Sequence, residues 1–194
     1  PFYKKVVDDL ETLFSQNVTF TVAAQKHIKA MENIPAKVSA LDLDGYVPLF
    51  DNYDHQTEAL AHAIHYPRYG LFLGRGLGKT KIAVDLLSYL KEKDSNFQCL
   101  ILALRVNLHT WKNEMDKFTG GKHAAVPLVA SSPKQRAKKL EAILDDNPLA
   151  VVCTYDTARV AHELLFDKFN YNMIVADESH KLRGHRSQQT AAVL

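Results

Sequence analysis

The chain of 194 residues is about one domain's worth, or one domain with a small appendage. Hydrophobic residues at 46% and charged residues at 24% exclude a disordered tail or a fibre. The 24 Lys and Arg against 22 Asp and Glu leave a net charge of +2, too mild to mark a nucleic-acid binder and no bar to a local basic patch.

No apolar run approaches the ~18 residues of a membrane-spanning helix, so no membrane partner is expected. The start, Pro1-Phe2-Tyr3-Lys4-Lys5, has neither an initiator Met nor an apolar signal core, and reads as a cut or processed fragment. Cys99 and Cys153 each sit inside an apolar run, as small core residues do. A disulfide framework is not expected, and a reducing intracellular compartment is.

Residues 1–50 carry five Lys and six acids, and residues 51–194 carry 19 Lys or Arg and 16 acids. The first fifty residues read as an N-terminal extension or small accessory module, or as a lead-in to the main domain. Apolar spacing predicts a helix over 2–14, a short strand over 18–22 and a helix over 23–31. Pro35, Gly45 and Pro48 then mark turns.

From residue 51 the pattern alternates between strand and helix. Strands are predicted over 69–73, 98–104, 125–130, 149–154 and 172–176, each a short apolar run. Between them, helical spacing covers 82–90, 108–118 and 157–166. A fourth helix starts from the Ser132 cap with Pro133 in its first turn and runs to about Leu144. Continuous apolar strands alternating with helices predict an α/β fold, a mostly parallel sheet with helices on both faces.

Two sites carry chemistry. Gly74-Arg75-Gly76-Leu77-Gly78-Lys79-Thr80 follows a predicted strand and opens a helix, the context of a phosphate-binding loop. Glycines let successive N–H groups face one oxyanion, and the helix N-terminus adds positive potential. Lys79 is placed to reach the β- and γ-phosphates, and the Thr80 hydroxyl to ligate Mg²⁺. Leu73 stands where such loops usually carry Gly or Ala. The second site, Asp177-Glu178-Ser179-His180, follows the last predicted strand, on the ligand-binding edge of a parallel sheet. There Asp177 suits a metal and Glu178 the activation of an attacking water.

Together, residues 76–80 and 177–180 resemble motifs I and II of helicase superfamily two, in its Swi/Snf-type DNA-translocase branch. Tyr53-Asp54-His55-Gln56 resembles the family's Q-type motif, which implies that Gln56 meets adenine. Residues 100–111, ending in Trp111 with Glu114 beyond, are similar to motif Ia, and residues 151–155 to motif Ib. The resemblance covers 51–194 and implies the first lobe of a three-layer RecA-like P-loop NTPase. It implies ATP and Mg²⁺ as cofactors, with Lys79 and Glu178 catalytic and Gln56, Gly76, Leu77, Gly78, Lys79, Thr80 and Lys81 around the nucleotide. Thr80 and Asp177 are then metal ligands, Thr154 and Tyr155 meet a DNA backbone, and His180 couples the two sites. The partners implied are duplex DNA and a second RecA-like lobe of the same parent chain. The sequence stops before motif III, so the fragment is expected to bind nucleotide better than it turns it over.

A strand-separating helicase, a restriction-enzyme motor subunit and a non-catalytic, nucleotide-gated binding module remain as alternatives. Among weaker signals, His62 and His65 fit an exposed helix face better than a metal pair, because no third ligand stands near. Lys134, Arg136, Lys138 and Lys139 fit a solvated face or a phosphate contact, and Trp111 a core anchor or a stacking base.

Overall fold

The computed structural model describes residue 43, residues 45–66 and residues 68–182. The chain divides into two units, Pro1–Leu41 and Asp42–Leu194, and all described residues belong to the second. The elements predicted over 2–14, 18–22 and 23–31 and the turn at Pro35 lie outside the described residues.

In chain order the elements are α1 (Asp54–His65), α2 (Lys79–Lys93), β1 (Cys99–Ala103), α3 (Leu108–Thr119), β2 (Ala125–Pro127), α4 (Pro133–Asp145), β3 (Ala150–Thr154), α5 (Tyr155–Val160), α6 (His162–Lys168) and β4 (Met173–Ala176). Single turns of 3-10 helix cover Arg105–Asn107 and Ser179–Leu182. The four strands form one sheet in the order β2-β3-β1-β4, every pair parallel. Cys99 aligns with Ala150 on one side and with Met173 on the other.

Strand alternation divides the core into two layers. Cys99, Ile101, Ala103, Ala150 and Val152 face α2 and α3, meeting Val84, Leu87, Trp111 and Met115. Leu100, Leu102, Val151 and Cys153 face the other way, onto Leu140, Ile143, Leu165 and Phe169 of α4, α6 and the turn after it. Both faces of β1 are therefore covered, which is why all five of its residues are buried and apolar. Cys99 and Cys153 lie on opposite faces as free, buried thiols, and burial pushes both upward, Cys153 to about 12. A third cluster seats α1 on α2 through Ala59, Leu60 and Ile82. No helix among the described residues is long and apolar enough to cross a membrane.

The structure corrects two predicted elements. Residues 69–73 join no ladder among the described residues. Leu71 and Leu73 pack against the α1–α2 cluster, while Phe72 between them is 95% exposed. The alternation is real, but it serves packing, because a strand also needs a neighbouring edge to bond. The helix predicted over 157–166 is two helices broken at Ala161, where φ is −127° and ψ 19°. Its start moves to Tyr155 because the Thr154 side chain caps it, accepting from the Thr157 N–H at 3.1 Å. By contrast, Ser132 caps α4 with Pro133 in the first turn, as expected.

His123, beyond the end of α3, has a buried Nε2 with no hydrogen-bond partner. Burial, with the Lys122 charge adding to it against the opposing pull of Glu92, holds its pKa below the usual 6.5. A base whose folded pKa is depressed stabilises the fold above its unfolded pKa and loses that contribution as pH falls below it. The denaturant midpoint is therefore expected to drop between about pH 7.5 and about pH 5.5, and His123→Gln to shrink that drop. Equal drops in the two proteins would reject the assignment.

Candidate nucleotide site

The loop between the 69–73 run and α2 turns on two glycines in the left-handed region, Gly76 at φ 77° and Gly78 at φ 81°. Gly78 has a second constraint. A Cβ there would stand 2.2 Å from Gln56 Nε2, so no other residue fits without displacing that amide. Gly78 caps α2, placing Lys79 and Thr80 in its first turn. The Lys79 ammonium curls back into the loop and donates to the Leu73 and Gly74 carbonyls, each at 3.0 Å.

Gln56 is buried and engaged at both ends of its amide. Its Oε1 accepts from the Tyr53 N–H at 3.1 Å, and its Nε2 donates to the Leu77 carbonyl at 3.3 Å. His55 Nε2 lies 3.2 Å from the same carbonyl. In this arrangement the start of α1 braces the glycine-rich loop, a role that the resemblance did not suggest. Lys81 requires a correction. One residue past Thr80, it projects away from the loop into a buried ion pair with Asp85 at 2.9 Å. It also donates to the Phe50 carbonyl at 2.9 Å and to Asn52 Oδ1. Its ammonium is therefore not placed for a phosphate, because helical spacing carries it round to the face that packs under residues 50–52.

At the other site, the Asp177 N–H donates to Leu102 O at 2.8 Å, extending the β1–β4 pairing to the edge of the sheet. Asp177 Oδ2 accepts from Trp111 Nε1 at 3.1 Å and from Asn107 Nδ2 at 3.4 Å. Its Oδ1 accepts no hydrogen bond among the described residues. Glu178 follows in the left-handed region at φ 54°, rare for a residue with a side chain. This turn exposes its carboxylate and sets Oε2 3.2 Å from His180 Nδ1.

Tyr155 lines the concavity at the ends of β1 and β3 but keeps its hydroxyl inside. It is only 5% exposed, and its hydroxyl donates to the Asp177 carbonyl at 2.7 Å instead of pointing outward. Burial, then the Asp177 and Glu178 charges, push its pKa up to about 12. Thr154 keeps a partly open position, with its hydroxyl donating to Thr157 Oγ1 at 3.0 Å. It lines a concavity of about 360 Å³ at the ends of β1 and β3, together with Leu104, Arg105, Arg136 and Thr157. Arg136 is the member of the α4 basic run that turns inward, and its buried Nε has no partner. Trp111 is a core anchor, as expected, and its hydrogen bond to Asp177 is a feature that the sequence reading missed.

Connectivity puts the two sites on one edge. Only residues 94–98 join α2 to β1, so α2 runs back antiparallel to β1 and its first turn points toward the carboxyl ends of the strands. Asp177 ends β4, which is parallel to β1. Ligands of open parallel sheets bind along this edge. The donor set suits Mg²⁺: one hydroxyl and one carboxylate oxygen, with no cluster of three or more His, Cys, Asp or Glu among the described residues. A hard cation that retains waters and takes phosphate oxygens needs no more from the protein.

A family model described as the SNF2-related domain matches residues 55–194, most of the chain. The chain belongs to this family. It is a Swi/Snf-type lobe of helicase superfamily two, and its parallel α/β sheet is the RecA-like architecture that the sequence implied. Protein p41 of the Acyrthosiphon pisum secondary endosymbiont phage 1 is 26% identical over 145 residues, covering 72% of this chain and 31% of that protein. ATP-dependent DNA helicase DDM1 of Arabidopsis thaliana is 26% identical over 113 residues, covering 57% of this chain and 15% of that one. The Sulfolobus solfataricus SWI2/SNF2 ATPase core, solved in complex with dsDNA, shares the fold with a TM-score of 0.62. That match is 19% identical and covers 78% of this chain and 31% of the other. The SNF2-related chain thus spans a third or less of the length of each of these relatives.

Proposed function

We propose that this SNF2-related lobe is the ATP-binding half of a motor that tracks along duplex DNA and hydrolyses ATP to ADP and phosphate with Mg²⁺. The single observation that supports the reading is the short connection of residues 94–98 between α2 and β1, which brings the start of α2, with Lys79 and Thr80, toward the strand ends that Asp177 follows. Lys79 would exchange its two loop carbonyls for phosphate oxygens, joined by the N–H groups of Gly76 to Thr80. Thr80 and Oδ1 of Asp177 would hold the metal, which supplies charge neutralisation at the triphosphate. Glu178, exposed and paired with His180, would orient the water for in-line attack. Positioning and preorganised charge then do most of the catalysis.

Nucleic acid would meet the concavity at the ends of β1 and β3, which Arg105, Arg136 and Thr154 line. Contacts of this type grip phosphates and carry little base preference. A second RecA-like lobe of the parent chain would complete both tracks, with residues 51–194 as the first lobe and 1–50 as an extension.

The test is ATP turnover by the intact parent protein with duplex DNA, single-stranded DNA and RNA in turn. Duplex DNA is expected to stimulate most. Glu178→Gln is expected to lower turnover on the order of 10²-fold while leaving ATP affinity within a few-fold. Preference for single strands or RNA would replace translocation with strand separation. Absence of turnover under every condition would leave a nucleotide-gated binding module.

A further inference from the structure

We propose that Trp111 is a positioning residue for the metal-binding carboxylate: its indole N–H, with the Asn107 amide beside it, fixes Oδ2 of Asp177 and leaves Oδ1 for the ligand. The inference rests on the metal reading of Asp177 given above and assigns it a support that lies outside motifs I and II.

The indole is 3% exposed, and a buried N–H needs an acceptor. A backbone carbonyl would satisfy it equally well. Instead it reaches a carboxylate 66 residues away, at 3.1 Å, where the bond is charge-assisted. Asn107 Nδ2 converges on the same oxygen from the 3-10 turn that opens α3, at 3.4 Å. Two donors on one oxygen hold the carboxylate plane and leave the other oxygen without a partner among the described residues. The main chain of Asp177 is fixed separately, by the Leu102 carbonyl accepting from its N–H and by the Tyr155 hydroxyl donating to its carbonyl. Side chain and backbone are thus held by different segments. A carboxylate clamped in this way does not have to be ordered when a cation binds, and hydrogen-bonded supports of this type commonly set metal affinity.

Trp111 is the sole tryptophan of the chain, so its indole gives one ¹⁵N-correlated N–H resonance. That resonance is expected to shift in Asp177→Asn and again when Mg²⁺-ADP is added to the wild-type chain. Trp111→Phe, its fold checked by its unfolding midpoint, is expected to keep ADP affinity in EDTA and lose about 10-fold in Mg²⁺ affinity of the ADP complex. A folded Trp111→Phe protein with wild-type Mg²⁺ affinity overturns the inference. So does an indole resonance that ignores Asp177→Asn, and this second readout stands even if Trp111→Phe does not fold. Unchanged Mg²⁺ affinity in Asp177→Asn would instead overturn the metal reading of that residue, and the positioning role with it.

Discussion

Lys79→Ala is expected to abolish measurable ATP turnover, a loss on the order of 10²–10³-fold, the range for removing a single preorganised transition-state donor. The structure folds the Lys79 side chain back into the glycine-rich loop, where it bonds the Leu73 and Gly74 carbonyls. These two bonds hold the loop curled around a positive charge before any nucleotide arrives. Alanine would remove the charge proposed to offset the γ-phosphate and also the cross-link that shapes the loop. Nucleotide affinity should therefore fall together with turnover. The neighbouring Lys81 has no such part in the proposal, because its ammonium is held by Asp85 and the 50–52 segment. Equilibrium binding of a fluorescent ADP to wild type and Lys79→Ala, alongside turnover by the intact parent, checks both parts. Unchanged turnover would reject the loop as a phosphate site.

Asp85→Ala is expected to destabilise the fold by about 3–5 kcal/mol, the usual cost of leaving one buried charge without its partner. The Lys81 and Asp85 side chains are 8% and 2% exposed and stand one helical turn apart on α2. Lys81 retains the Phe50 carbonyl and Asn52 as acceptors, so the low end of the range is expected. Replacing both residues at once, Lys81→Met with Asp85→Leu, should recover most of the loss, because no charge then remains in the apolar site. Burial raises the Asp85 pKa, and the Lys81 ammonium only partly offsets it. An acid with a raised folded pKa contributes stability below its unfolded value and loses it as pH rises through the folded one. That acid-side trend is opposite in sign to the one expected for His123. Denaturant midpoints for the single and double variants test the pair, and a single variant as stable as the double one would reject it.

Several elements were legible in the sequence because their causes are local. The Ser132–Pro133 start of α4, the left-handed glycines of the loop and the fully apolar strands each follow from one residue's own conformational limits or from a two-residue period. The position of Asp177 just past the last strand was legible as well, and its N–H extends the pairing of β4 to Leu102. Where the reading failed, the missing information was the identity of a neighbour. Residues 69–73 have the pattern of a strand, yet a ladder requires a second edge, and pattern does not supply one.

Sequence alone thus determined the family, the layered α/β fold and the residue types gathered at the glycine-rich turn and at the end of the last strand, because spacing along one chain fixes which side chains share a turn or a strand end. Tertiary structure alone decided what those side chains touch. It turned Lys81 onto Asp85, Gln56 onto the loop, and Tyr155 and Trp111 onto Asp177 across gaps of 22 and 66 residues. Hydrogen bonds between distant segments depend on how helices seat against the sheet, and that geometry is set by packing volume across the whole core.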